Sequence, residues 1–292
     1  MKKLILLVVP ALFLGFATSC TEPNDGDLNN TAVKGCMNPA AANYNNKATL
    51  DDGSCVIVGK KQNSISAKFT ATWCGPCGSF GAPAFESYYN DMHPKTLAFT
   101  LQVNDAIAGM YPGITPLMNG FKSYWGIGSL STPSYAVNAA PIPNQNLTMA
   151  RNVVNEKHAE DPKAGIGIKW TRGAGTNAGK INVNAYVEFF DAIPGDVKLG
   201  LYFIARELEA TQKVGDQTVA DFKHKHVLLG EATGADMYGT LIAEGGVSKG
   251  DVKHLSRVLV EPDGMDMTKL SLVGILWKAN GTVHVFENGT LN

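Results

Sequence analysis

Two cysteines separated by a Gly-Pro pair constrain this chain more than any other feature. Trp73-Cys74-Gly75-Pro76-Cys77 follows directly on a strand-like run, Ile65 to Thr72. It leads into a helix-like stretch with apolar positions at Phe80, Phe85, Tyr88 and Tyr89. Strand, then C-x-x-C, then helix is the setting of dithiol chemistry, whereas a bare C-x-x-C also serves zinc. There is no second C-x-x-C, and the nearest histidine, His93, is far along the chain, so no metal is expected here. At a helix N-terminus the unpaired amides and the helix dipole favour a thiolate, so Cys74 is expected to ionise below the ~8.5 of a free thiol. As an exposed nucleophile it would attack a substrate disulfide. Cys77, one turn later and more buried, would resolve the mixed disulfide. Gly75 permits a tight turn, and Pro76 begins the helix without leaving an unmatched amide.

In an oxidising compartment outside the inner membrane, the cysteines could form two disulfides. There are five in all: Cys20, Cys36, Cys55, Cys74 and Cys77. Lys2 and Lys3 precede an apolar run from Leu4 to Phe16 that is too short to span a bilayer and reads as a signal peptide over 1–19. Ala17-Thr18-Ser19 before Cys20 resembles a bacterial lipobox, which implies cleavage before Cys20 and lipid on its thiol. By the same resemblance Thr21 favours the outer membrane of a Gram-negative cell, with the periplasmic or surface face left open. Glu22, Asp25 and Asp27 make the following tether, 20–34, acidic. The remaining four cysteines allow three connectivities, but they fall into two local pairs. Cys36 and Cys55 bracket a polar module, 35–57, which a disulfide would stabilise by ~3 kcal/mol. It resembles a small module of secreted proteins from Bacteroidetes-type bacteria. Asp51 and Asp52 suit an Asp-Gly turn better than a calcium site.

The Trp-Cys-Gly-Pro-Cys signature resembles the thioredoxin superfamily. That resemblance implies a cis-proline facing the disulfide, and the candidate is Pro133 in Ser131-Thr132-Pro133-Ser134. It also implies that Thr132 offers its backbone to a substrate chain. Trp73, Thr132 and Pro133 are the expected substrate-binding residues, with Gly75, Pro76 and Lys68 as active-site support. Lys68 is a departure, because many thioredoxins carry a buried acid six positions before the first cysteine. A lysine there either snorkels outward or stabilises a thiolate. The order β-α-β-α-β-α, with a second strand at Leu97–Val103 and helices at Leu117–Tyr124 and Leu147–His158, fits a thioredoxin-like α/β domain over 58–160.

At 292 residues and ~150 per domain, the chain has room for about two domains. After Glu160-Asp161-Pro162 the pattern changes to short strand-like runs separated by turns. These are Gly165–Thr171, Lys180–Phe189, Lys198–Arg206, His224–Leu229, Lys253–Leu259, Leu270–Lys278 and Val283–Glu287. Such spacing suggests an all-β antiparallel sandwich over 161–292. His224 and His226 share a strand face, but Lys223 and Lys225 beside them disfavour a metal cation. A net charge of −1 argues against nucleic acid as a partner.

Tyr124-Trp125-Gly126, Thr132-Pro133-Ser134 and the run from Gln217 through Asp221-Phe222-Lys223-His224-Lys225-His226-Val227-Leu228 resemble the Omp28-related outer-membrane lipoprotein family of Bacteroidetes. The expectation is a lipid-anchored cell-envelope thiol–disulfide oxidoreductase. It needs no cofactor beyond the Cys74–Cys77 disulfide, and its partners are protein thiols and disulfides and the membrane. Its electron donor is left open. The alternative is a binding or adhesion lipoprotein in which the C-x-x-C pair is a structural disulfide.

Overall fold

The computed structural model describes residues 32–128, 131–281 and 283–291. The signal peptide, Cys20 and most of the acidic tether lie outside the described residues. The chain begins with the polar module, where two-residue strands β1 (Lys34–Gly35) and β2 (Leu50–Asp51) pair in parallel. Cys36 and Cys55 are joined as a disulfide. The Asp51 and Asp52 carboxylates accept from the backbone N–H of Gly53 and Ser54, both at 2.9 Å, so they serve the turn.

The α/β part follows the expected order. Strand β3 (Ser64–Thr70) leads through the cysteine motif and a π-helical turn (Cys77–Gly81) into α1 (Ala82–Met92). Next come β4 (Thr96–Gln102), a short α2 (Ala106–Met110) and α3 (Ile114–Tyr124). Strands β5 (Ser134–Val137) and β6 (Ala140–Pro141) and helix α4 (Leu147–His158) close it. Asn146 caps α4 by accepting from the Met149 N–H. Every residue of β3 is buried, and period 2 divides them between two covers. Ile65, Ala67 and Phe69 join Leu117, Met118 and Phe121 of α3 in one core. Ser66, Lys68 and Thr70 face the other way, where the Ser66 hydroxyl meets Tyr88 of α1 at 2.7 Å.

The second half is mostly strand. It comprises β7 (Ala164–Arg172), β8 (Lys180–Phe189), β9 (Ile193–Pro194), β10 (Val197–Val214) and β11 (Gln217–Glu231). After these come β12 (Thr240–Ala243), β13 (Gly246–Val247), β14 (Val252–Val260), β15 (Leu270–Asn280) and β16 (Val283–Leu291). Each strand expected from the turn spacing falls inside one of these. Strands β14, β8 and β7 form an antiparallel layer whose Val183, Val187, Leu255 and Ile166 pack with Leu199, Leu201 and Phe203 of β10.

The larger layer does not stop at residue 160. Among the described residues a nine-stranded sheet runs β16-β15-β10-β11-β4-β3-β5-β6, with β12 beside β10. The join is parallel, where Val227 of β11 stands opposite Thr100 of β4 and the Thr100 hydroxyl donates to the Lys225 carbonyl oxygen at 2.9 Å. An α/β domain ending at β4 would leave that edge open for pairing with another chain, and β11 covers it. One face of the joined sheet is a single core, in which Phe69, Phe121 and Trp125 share contacts with Tyr202, Val273 and Trp277.

Candidate redox site

The cysteine motif occupies the turn between β3 and the helical segment. The Cys74 N–H donates to the Ala71 carbonyl at 3.1 Å, and the Cys77 N–H to the Cys74 carbonyl at 3.1 Å. Asp105 fixes this turn from the end of β4. One carboxylate oxygen accepts from the Thr72 N–H, and the other caps α2 through the Ala108 N–H, both at 2.9 Å. Cys74 and Cys77 are bonded as a disulfide. The Cys77 N–H also points at Cys74 Sγ across 3.2 Å, so a donor already faces the sulfur that would carry charge after reduction.

The second landmark is in place. The Thr132–Pro133 peptide is cis. The Thr132 carbonyl oxygen lies 3.6 Å from Cys74 Sγ. The Pro133 carbonyl accepts from Gln145 Nε2 at 2.7 Å, and the Tyr135 hydroxyl donates to the Gly81 carbonyl at 3.2 Å, which ties β5 to the helix carrying the cysteines. Trp73 stands beside the disulfide, 55% exposed, with its indole N–H directed at the Asn104 carbonyl at 3.4 Å. Pro76 and Ser131 are exposed and Thr132 half-buried, so the rim of the site is open on this side.

Two expectations need revision. Cys74 is only 5% exposed and Cys77 1%, so the first thiol is the more accessible of the two but is not an open one. Lys68 does not snorkel outward. It is 6% exposed, with its ammonium 5.5 Å from the centre of the Phe85 ring, and burial lowers its pKa to about 8. Alternation along β3 is the reason, because position 68 faces α1 with Ser66 and Thr70.

The second half of the chain also reaches the cysteine motif. The β10–β11 hairpin extends past the core, and its tip lies on the cysteine motif. Lys213 N–H donates to the Thr72 carbonyl at 2.7 Å, and Gly215 N–H to the Gly75 carbonyl at 3.1 Å. Gln212 is buried, and its Nε2 donates to the carbonyls of Ala71, Cys74 and Lys213 at 3.2, 3.0 and 2.8 Å. A Cβ at Gly75 would run into the Gly215 carbonyl, so that glycine permits close backbone approach as well as a turn. None of Asp105, Gln212, Lys213 and Gly215 stood out in the sequence. The one available signal was Gly215-Asp216 between alternating runs, a two-residue hairpin turn with φ +59° at the glycine.

His224 and His226 differ in their surroundings. His224 is buried, with its pKa lowered to about 4 by burial and by the Lys68 charge. His226 sits at a left-handed φ of +56°, 3.4 Å from the Glu86 carboxylate.

No protein-family model and no curated protein matches the chain. Among solved structures, HBP35 of Porphyromonas gingivalis superposes with a TM-score of 0.65 at 17% identity, over 80% of this chain and 76% of that one. A domain of the outer membrane lipoprotein Omp28 from the same organism gives a TM-score of 0.27 at 17% identity, over 44% of this chain and 86% of that one, a likeness too slight to argue from. The likeness to HBP35 is one of fold.

Proposed function

We propose that the protein is a thiol–disulfide oxidoreductase acting on protein disulfides. The observation that carries this reading is the Cys74–Cys77 disulfide at the start of a helix, with Cys74 Sγ 3.6 Å from the backbone carbonyl of Thr132. In the reduced protein the Cys74 thiolate attacks a substrate disulfide, one substrate thiolate leaves, and a mixed disulfide remains. The Cys77 thiolate then attacks Cys74 Sγ and releases the second substrate thiol. The substrate gains two electrons, and the protein returns to its disulfide form until an external dithiol reduces it. Trp73, Thr132 and Pro133 line the approach. Reduction of insulin by dithiothreitol tests the reading. The wild type accelerates it, and Cys74→Ser abolishes the acceleration.

The burial of Cys74 favours a second reading, in which the disulfide is structural and the protein is a binding lipoprotein. A reduction potential below about −300 mV supports that alternative, and a higher one supports exchange. We further propose that Cys20 carries lipid and anchors the chain in the outer membrane as a member of the Omp28-related family. Those parts rest on the sequence features around Cys20 and in the second half. Loss of membrane association in Cys20→Ala tests the anchor.

A further inference from the structure

The polar side of β3 is unevenly satisfied. Ser66 bonds to Tyr88 and Thr96 at 2.7 and 2.8 Å. Among the described residues Lys68, two positions on, makes no hydrogen bond or ion pair. Its side chain lines a cavity of about 280 Å³ between α1 and the outer part of β11. Across that cavity stands His224, 5% exposed, whose buried Nε2 likewise has no partner among the described residues.

The rest of the lining narrows the chemistry. Phe85, Pro83 and Ala82 of the helix and Phe222 of β11 give it apolar walls. Its one carboxylate, Glu86, is directed to His226 at 3.4 Å. Lys223 and Lys225 are also on the lining and share Glu207 at 3.7 and 3.0 Å. Among the described residues no carboxylate touches Lys68; Glu86 acts on it only at longer range, and with its pKa near 8 Lys68 remains an ammonium at neutral pH. An unpaired buried charge is costly, and a ligand bringing one negative charge would relieve that cost.

The geometry points to a binding site for a small monocarboxylate with an apolar body. Its carboxylate would meet Lys68 Nζ, and its body would lie between Phe85 and Phe222, beside the His224 ring. A phosphate dianion suits the site less well, because the walls are apolar and Lys223 and Lys225 are already engaged with Glu207. The inference does not use the redox reading and is tested on the oxidised protein.

Benzoate, with benzyl alcohol as its neutral counterpart, is the probe, followed by calorimetry and by NMR of the aromatic rings. The expected result is saturable one-to-one binding of benzoate, about tenfold or more tighter than benzyl alcohol, and about tenfold or more weaker in Lys68→Met. The benzoate–benzyl alcohol contrast on the wild type stands even if that variant fails to fold. No saturable binding up to about 10 mM means a site for water alone and overturns the proposal. Equal affinity for benzyl alcohol, equal affinity in folded Lys68→Met, or displacement of benzoate by inorganic phosphate at similar concentration overturns it too.

Discussion

The backbone N–H of Gly215 donates to the carbonyl oxygen of Gly75 at 3.1 Å, which ties the tip of the β10–β11 hairpin to the residue that follows Cys74. Residues 140 positions apart in sequence thus meet at the cysteine motif, which a hairpin from the other half of the chain holds by its backbone.

Gly215→Val should loosen that contact. The glycine has φ +59°, where a β-branched side chain costs ~1–2 kcal/mol, and the strain falls on the tip itself. The expected outcome is a severalfold faster reaction of iodoacetamide with Cys74, measured in a reduced Cys77→Ser background. An unchanged rate would show that the tip does not limit access.

Gln212 holds the same hairpin from its inner face. Its amide reaches three carbonyls, and truncation to alanine leaves those of Ala71 and Cys74 without that buried donor. A loss of about 2 kcal/mol in urea unfolding is expected for Gln212→Ala. Gln212→Glu should lose at least as much, because a carboxylate cannot donate.

Lys68 gives a pH signature. Its folded pKa near 8 lies below the ~10.4 of an unfolded lysine, so the unfolded chain holds more protons between those values and stability rises with pH across that window. Below pH 8 both states are protonated and the folded protein bears the full cost of the buried charge. Lys68→Met should therefore be more stable than the wild type by about 3 kcal/mol at pH 7, with the gap closing towards pH 10.5, in carboxylate-free buffer. A gap that does not change with pH would contradict the burial of a charged Lys68.

The α/β half was legible because its signals are local. Alternation through Ile65–Thr70, the motif itself and Pro133 before a short strand each lie within a few residues of what they specify. The largely apolar run Leu97–Val103 indicated a strand flanked on both sides. The identity of its second neighbour was hidden, because β11 joins β4 through backbone contacts near Val227 and Thr100 that any side chains would permit. The hairpin arm was hidden for a related reason. Glu207 to Phe222 is too polar to read as a core strand, and its grip on the cysteine motif uses backbone N–H groups and one glutamine. The place of Lys68 on β3 was legible, but its burial could be seen only once α1 and β11 were positioned around it.

The most direct test is to mix the reduced Cys77→Ser protein with a protein disulfide such as insulin and identify covalent adducts by mass. The account predicts a stable mixed disulfide at Cys74 that does not form when Cys74→Ser is substituted instead. No adduct at Cys74, or reaction no faster than that of free cysteine, would contradict it and leave the pair a structural bond.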